Sequence, residues 1–483
     1  HISGEHAERD DIHTLGDVHA LGKENFDADE YQSWLDERGW DDLASLIYTS
    51  GTTGQPKGVK LTHGNFRSNV NQVRKRVGPR PDKPEDMVVV DQDASSVSFL
   101  PLAHVFERTA GHFLMFASGA TVAYAESTDT VQEDFEKVQP KGGTSVPRVY
   151  EKMYETIVEQ AEESPVKEKI FHWAVDVGKK YYDTDDPGFV LEMKHSLADK
   201  LVFSNVREAL GGNIEYLISG GGSLSADLCK LYHSMGLPIL EGYGLTETSP
   251  VVSSNPVENP QIGTIGPPVV DLDVKVDESV VSEKTLHDVE GDVGELLVKG
   301  PNVTEGYWNK PEETEAAFTD DGWFRTGDIV EIRPDGYLKF HDRSKQILVL
   351  STGKNVAPQP IENKFVTSEL IEQTMVLGDE RKFISALIVP HFEGIRHKAE
   401  EEDVDIPDSP EEICNDETVR SWIQEEVDSV NQNFEKYETI KKFRLVPIKF
   451  TEDNDLLTPT MKKKRRNILD RFDEEVESMY EDA

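Results

Sequence analysis

Cysteine is scarce. The 483 residues include two, Cys229 and Cys414, so no disulfide framework is implied, and a reducing cytoplasm suits the chain. Positive charge is also short. Lys and Arg number 51 against 92 Asp and Glu, for a formal net charge of -41. Nucleic acid is excluded as a partner, because phosphate-backbone binding needs a basic footprint. No run of 18 apolar residues occurs and no signal peptide is visible at His1, so no transmembrane segment is expected and peripheral contact with a membrane is left open. The nearest stretch, Thr109 to Ala125, is broken by His112 and the Ser118-Gly119 pair. It reads as a buried helix followed by a strand. Internal repeats are missing too.

A chain of this length exceeds one ordinary core, so two or more domains are expected. The acids are spread along it, which predicts a solvated surface adapted to a salty cytoplasm rather than an acidic docking patch. The first forty residues are acidic and His-rich with little periodicity, and read as a connecting segment. Leu43 to Tyr48 reads as a buried strand, Asn65 to Val77 as a helix, and Val88 to Val90, Ser98 to Leu100 and Gly119 to Tyr124 as strands. Helical pattern runs from Glu151 to about Leu210 and is read as an insertion covering a sheet. Ile214 to Ile218 is a further strand, and Gly263 to Phe340 is β-rich. A smaller α/β stretch follows Arg343 and carries an acidic helical region near Ala399 to Val430. Alternating strands and helices predict a layered α/β architecture.

The strongest chemical signal is Tyr48-Thr49-Ser50-Gly51-Thr52-Thr53-Gly54-Gln55-Pro56-Lys57-Gly58. Small residues let the backbone approach phosphate oxygens, hydroxyls and N–H groups can wrap them, and Lys57 adds a point charge. A P-loop needs Gly-Lys followed by Ser or Thr. Here Pro56 precedes the lysine and Gly58 follows it, so that reading fails.

This loop resembles that of the adenylate-forming superfamily, which ends in Pro-Lys-Gly and closes over the β- and γ-phosphates of ATP. Further segments match in the family's order. Glu241-Gly242-Tyr243-Gly244-Leu245-Thr246-Glu247 is similar to the adenine and acyl-site strand. The resemblance implies that Tyr243 flanks adenine, Thr246 contacts the α-phosphate, and Glu247, with Thr49, holds Mg²⁺. A hard cation suits carboxylate and hydroxyl oxygens. Ser219-Gly220-Gly221-Gly222 resembles the loop at the adenine face. Asp328 in Trp323-Phe-Arg-Thr-Gly-Asp328 would accept from the ribose hydroxyls, with Arg343 completing the contact. Lys462 matches the late lysine that stabilises charge during adenylation. Met461 stands where relatives carry Gly, and Lys463 and Lys464 follow, so which of the three lysines acts is left open. Gly294-Glu-Leu and Gly306-Tyr307-Trp match the family's spacing and are assigned to fold. Lys345 would be the hinge of a small rotating domain, and the segment near Gly353 would shape a thiol tunnel for CoA.

The implied fold is α/β: a large layered N-terminal domain over residues 1–344 and a small mobile α+β C-terminal domain over 345–483. Relatives carry a large subdomain before the phosphate loop, whereas 47 residues precede Tyr48 here. The chain is therefore expected to start inside the N-terminal domain. Within the superfamily, Ser98-Phe-Leu-Pro-Leu-Ala-His104-Val-Phe-Glu-Arg108, Val146-Pro-Arg-Val-Tyr-Glu-Lys152 and Leu456-Leu-Thr-Pro-Thr460 are most similar to long-chain acyl-CoA synthetases. That implies a fatty acid, ATP and CoA as substrates. His104 and Gly244 are candidates for the acyl site, and Phe113 to Phe116 are read as either slot or core. Two other readings stay open: adenylation of a different acid or loading of a carrier protein, and a silent adenylate-binding scaffold. Lys57, Glu247, Asp328, Arg343 and Lys462 together argue against the scaffold. Chain length and oligomeric state are not readable.

Overall fold

The computed structural model describes residues 13–481 apart from 50–55, 85–86, 128–129, 163, 185, 281–288, 344–345 and 459–460. Six strands form the central sheet. Their spatial order is Thr121–Tyr124, Ser95–Ser98, Gly142–Ser145, Tyr216–Ser219, Ile239–Gly244 and Val251–Ser254. The first five run parallel and the last is antiparallel. Parallel strands need crossovers, and helices supply them. Pro147–Glu162, Pro165–Tyr182 and Phe189–Ala198 contribute Tyr150, Phe171, Ala174 and Ala198 to one core with Phe203, with Leu228 and Tyr232 of helix Ala226–Ser234, and with Leu217 and Ile239 of the sheet. The helical insertion read from the sequence therefore does cover a sheet.

Helix His63–Val77 shows the local logic. Thr62 Oγ1 accepts from the Asn65 N–H at 3.1 Å, and Asn65 Oδ1 accepts from the Thr62 N–H at 2.9 Å. This closes a reciprocal cap on two otherwise orphan donors. Phe66, Val70, Val73 and Val77 recur on one face and are buried, while Arg74, Lys75 and Arg76 sit in the last turn, where positive charge meets the negative end of the helix. The stretch from Thr109 divides as expected into helix, with a π-type segment Glu107–Phe113 followed by Leu114–Ala117, and then strand Thr121–Tyr124. Leu114 and Met115 are core; Phe113 and Phe116 are exposed.

A four-stranded antiparallel sheet follows, ordered Leu338–Arg343, Phe324–Ile332, Asp292–Lys299, Asp273–Asp277. Beyond it lies a three-stranded sheet of Ile371–Leu377, Ser385–Pro390 and Lys442–Leu445. Successive side chains on a strand point to opposite faces. Accordingly Val376, Ala386 and Ile388 enter one core with Trp422, Ile423 and Val427, while Met375, Leu377, Leu387 and Val389 enter another with Phe450, Phe472 and Met479.

Four expectations need correction. The strand read at Ser98 to Leu100 is Ser95–Ser98, which ends where that reading began. Leu43–Thr49 is a strand but not a buried one: in its two-stranded hairpin Ile47 is buried while Leu43 and Tyr48 are exposed. Val88 to Val90 form no strand; Val90 packs into the core from an irregular segment, which three apolar residues satisfy as well as a strand does. The first forty residues are not a plain connector. They contain helices Leu15–Asn25 and Ala28–Asp36, each capped at its N-terminus by a side chain and neither with a buried residue.

Candidate active site

A cleft of about 750 Å³ runs between the central sheet, the four-stranded sheet and the C-terminal part. Gly221, Gly222, Glu241, Gly242, Tyr243, Gly244, Asp328, Arg343 and Lys462 all line it. Residues far apart in sequence meet there because of strand register. Asp328 and Arg343 are directly opposed on neighbouring antiparallel strands, which brings their side chains together. Arg343 Nε lies 3.3 Å from Asp328 Oδ1. Tyr243, at the end of a strand in the other sheet, donates its hydroxyl to Asp328 Oδ2 at 2.6 Å.

Asp328 is 1% exposed. Burial pushes its carboxyl above the usual range, and Arg343, the Tyr243 hydroxyl and Lys462 pull it back. Its Oδ1, despite the nearby arginine, has no hydrogen-bond partner among the described residues. A buried acceptor left open in this way suits a ligand hydroxyl. Glu241 Oε2 is a second such atom. Burial pushes the Glu241 carboxyl up to about 8, against the pull of the Gly263 and Leu224 N–H groups. Burial thus favours its protonated form, which can donate as well as accept. The Tyr243 ring sits 6.1 Å from that of Phe340, giving this end of the cleft an aromatic wall.

Glycine has a steric role at two points. A Cβ at Gly244 would sit 1.8 Å from the Pro250 carbonyl oxygen, where the chain folds back on itself. Gly221 has φ +79°, the left-handed region that side chains disfavour. Gly220 packs under the Phe106 ring.

The three consecutive lysines part company. Lys463 Nζ pairs with Glu362 at 2.6 Å and also donates to the Thr374 carbonyl. Lys464 pairs with Asp455. Lys462 and Lys463 both line the cleft, and of the two it is Lys463 that Glu362 already holds. Removal from bulk water and the Arg343 guanidinium push the Lys462 ammonium down to about 8, with Asp328 pulling the other way. Water still reaches it, since its surface is exposed along the cleft wall. The turn that aims it has Met461 at φ +58°. That left-handed conformation is one glycine adopts at less cost than methionine.

Lys462 also acts on His104. Burial first, and then the lysine's charge, lower the His104 imidazole. The acyl-site candidate and the lysine are therefore within electrostatic reach. Thr246 is buried in the turn Thr246–Thr248. Glu247 Oε1 accepts from the Tyr307 hydroxyl at 2.9 Å. Lys57 Nζ lies 4.9 Å from the centre of the same Tyr307 ring, and Thr49 is paired with Lys57 across the hairpin Leu43–Thr49/Lys57–Thr62. Tyr307 thus bridges the hairpin to the Glu247 turn. The Gly306-Tyr307 segment, assigned to fold from the sequence, also brings its tyrosine against Glu247 and Lys57. Thr49, Lys57, Glu247 and Tyr307 do not line the cleft itself; the Glu247 carboxylate and the Thr49 hydroxyl are oxygen donors of the hard type that Mg²⁺ takes.

Ser50, Gly51, Thr52, Thr53, Gly54 and Lys345 lie outside the described residues. Gly353 occupies an exposed turn with φ +75° and does not line the cleft.

Residues 4–308 match the family model described as AMP-binding enzyme, and residues 345–483 match the AMP-binding enzyme C-terminal domain. The chain belongs to the AMP-binding enzyme family. Among its relatives are the long-chain-fatty-acid–CoA ligase FadD15 of Mycobacterium tuberculosis, 37% identical over 91% of this chain and 69% of that protein, and long-chain-fatty-acid–CoA ligase 5 of Rattus norvegicus, 32% identical over 97% of this chain and 66% of that protein. In structure the chain is similar to the adenylation domain of a carboxylic acid reductase from Segniliparus rugosus, solved with AMP and a co-purified carboxylic acid. The TM-score is 0.69, with 26% identity, covering 97% of this chain and 66% of that one. The adenylate-forming fold, a large α/β domain with a smaller C-terminal domain, is thereby established for this chain.

Proposed function

We propose that this protein is an ATP-dependent long-chain fatty acid:CoA ligase. The fatty carboxylate attacks the α-phosphorus of ATP and pyrophosphate leaves. The CoA thiol then attacks the acyl carbonyl and AMP leaves. The observation that carries the reading is the meeting of Lys462, Arg343 and Asp328 in one cleft, in a chain 37% identical to a long-chain-fatty-acid–CoA ligase.

Each residue has a distinct task in this reading. Asp328, oriented by Tyr243 and Arg343, accepts the ribose hydroxyls through its open Oδ1. Gly220, Gly221 and Gly222 leave room for the base, and the Tyr243 ring packs against it. Lys462 places positive charge where negative charge grows as two anions approach. Thr246 contacts the α-phosphate, and Lys57 with the Thr49–Gly54 loop attends the leaving pyrophosphate. Glu247 and Thr49 would hold Mg²⁺, which offsets phosphate charge when bound. His104 and Gly244 border the acyl carboxylate.

Residues 1–344 form the adenylation core. Residues 345–483 turn about Lys345 between the two half-reactions, carrying Lys462 away and bringing the Gly353 turn toward the thiol. No helix among the described residues is long and apolar enough to cross a membrane. With Cys229 and Cys414 both free and buried, we place the reaction in the cytoplasm. Acid-dependent release of AMP and pyrophosphate, followed by stoichiometric acyl-CoA, is the expected outcome. AMP release without thioester would favour loading of a carrier protein instead.

A further inference from the structure

A second cluster of ligand-type side chains lies away from the nucleotide cleft, between the helical insertion and the C-terminal part. Helix Pro165–Tyr182 carries Glu168 and His172; helix Phe392–Glu401 carries His397 and Glu401. Each pair is spaced four residues apart, so both members share one helix face. The two faces meet. His397 Nε2 is 3.7 Å from Glu168 Oε2, and ligand atoms of Glu168, His397 and Glu401 all lie within 4.8 Å of one another. His172 adds Nε2 at 4.0 Å from Glu168 Oε1, and its Nδ1 is 3.2 Å from Glu369 Oε1. The ion pairs of Glu168 and Glu369 among the described residues are with these histidines. Three carboxylates and two imidazoles are thus linked in one chain of contacts, with Glu168 between the two histidines.

We propose that Glu168, His397 and Glu401, with His172 as a fourth donor, bind a divalent transition cation such as Zn²⁺. Donors about 2.1 Å from a tetrahedral ion stand roughly 3.4 Å apart, so Glu168, His397 and Glu401, already within 4.8 Å of one another, close on it with adjustment on the order of 1 Å, whereas His172 lies outside that group and must move further to take the fourth position. Two imidazoles favour Zn²⁺, Co²⁺ or Ni²⁺ over Mg²⁺ and Ca²⁺, which take oxygen donors. The donors come from both parts of the chain, so the site is complete only in this relative arrangement, in which Lys462 lines the nucleotide cleft. A bound ion therefore favours that arrangement. The site stands on the observed geometry; its effect on turnover rests on the rotation proposed above.

Equilibrium dialysis of the full chain against Zn²⁺, in excess Mg²⁺ and high KCl to suppress loose carboxylate binding, tests the site. One tightly bound Zn²⁺ per chain is expected, weakened at least tenfold by His397→Gln and by Glu168→Gln. Co²⁺ in its place should give the visible absorption of a tetrahedral ion in the parent and not in either variant. His172→Gln, on the same helix as Glu168, is the additional variant should one of these fail to fold. Zn²⁺ binding that all folded variants retain, or no tight binding in the parent, overturns the proposal. Transfer from supplied acyl-AMP to CoA should slow when Zn²⁺ is bound. A bound ion that leaves this step unchanged upholds the site and overturns its link to rotation.

Discussion

Lys462→Ala should separate the two half-reactions. The ammonium sits in the cleft beside Asp328 and Arg343 with its pKa lowered from 10.5 to about 8. Losing one preorganised charge of this kind costs roughly a hundred- to a thousandfold in rate. ATP–pyrophosphate exchange driven by a fatty acid should fall by about that factor, while thioester formation from supplied acyl-AMP should change far less. The pH profile adds an independent sign. The working form is the protonated one, so adenylation is full below the lowered pKa and lost as pH rises through it. The charged fraction falls as pH rises through about 8, which predicts an alkaline decline in adenylation. Lys462→Arg should flatten this alkaline limb, because a guanidinium stays charged there. Equal loss of both half-reactions in the alanine variant, or an unchanged alkaline limb in the arginine variant, would refute the assignment.

Glu362→Gln should destabilise the C-terminal part. The buried carboxylate accepts from Lys463, from Arg465 at 2.9 Å and from the Val376 N–H at 2.9 Å. Breaking such a buried set costs about 3 kcal/mol, readable in urea unfolding. The ion partners hold this carboxyl below its usual 4.5 despite burial. Its contribution is therefore complete above about 4.5 and is lost as pH falls through the lower folded-state value; a parent stability flat in acid would count against it. Gly244→Ala forces a Cβ against the Pro250 carbonyl and should cost at least about 2 kcal/mol while abolishing adenylation. A variant with normal stability would show that the turn yields easily. Raising KCl should raise the unfolding midpoint of a chain with net charge -41, and a fold indifferent to salt would contradict surface adaptation.

What could be read in advance followed the range of the forces involved. Helix His63–Val77 announces itself through a cap three residues long and a buried stripe, both local. Asp328, Arg343, Glu241 and Lys462 could be named before their meeting was seen because the short runs around them resemble the family's motifs; by residue type alone an aspartate or arginine in a turn reads as solvated surface. The meeting itself depends on strand register, which single runs do not reveal. Tyr307 was harder, since its partner Glu247 lies 60 residues away and nothing local marks a tyrosine as a carboxylate's neighbour. The choice among three consecutive lysines likewise turned on Glu362, about a hundred residues upstream of Lys463. Val88 to Val90 was misread because burial, which the valines do achieve, does not require a ladder partner.

The most direct measurement is a single-turnover trap. The protein is mixed with labelled long-chain fatty acid, ATP and Mg²⁺ in the absence of CoA, quenched, and assayed for bound acyl-AMP; CoA is then added to a parallel sample. The account predicts one acyl-AMP per active chain before CoA and its conversion to acyl-CoA and AMP afterwards. Acyl-CoA formed without a preceding acyl-AMP, or acyl-AMP that CoA does not consume, would contradict it.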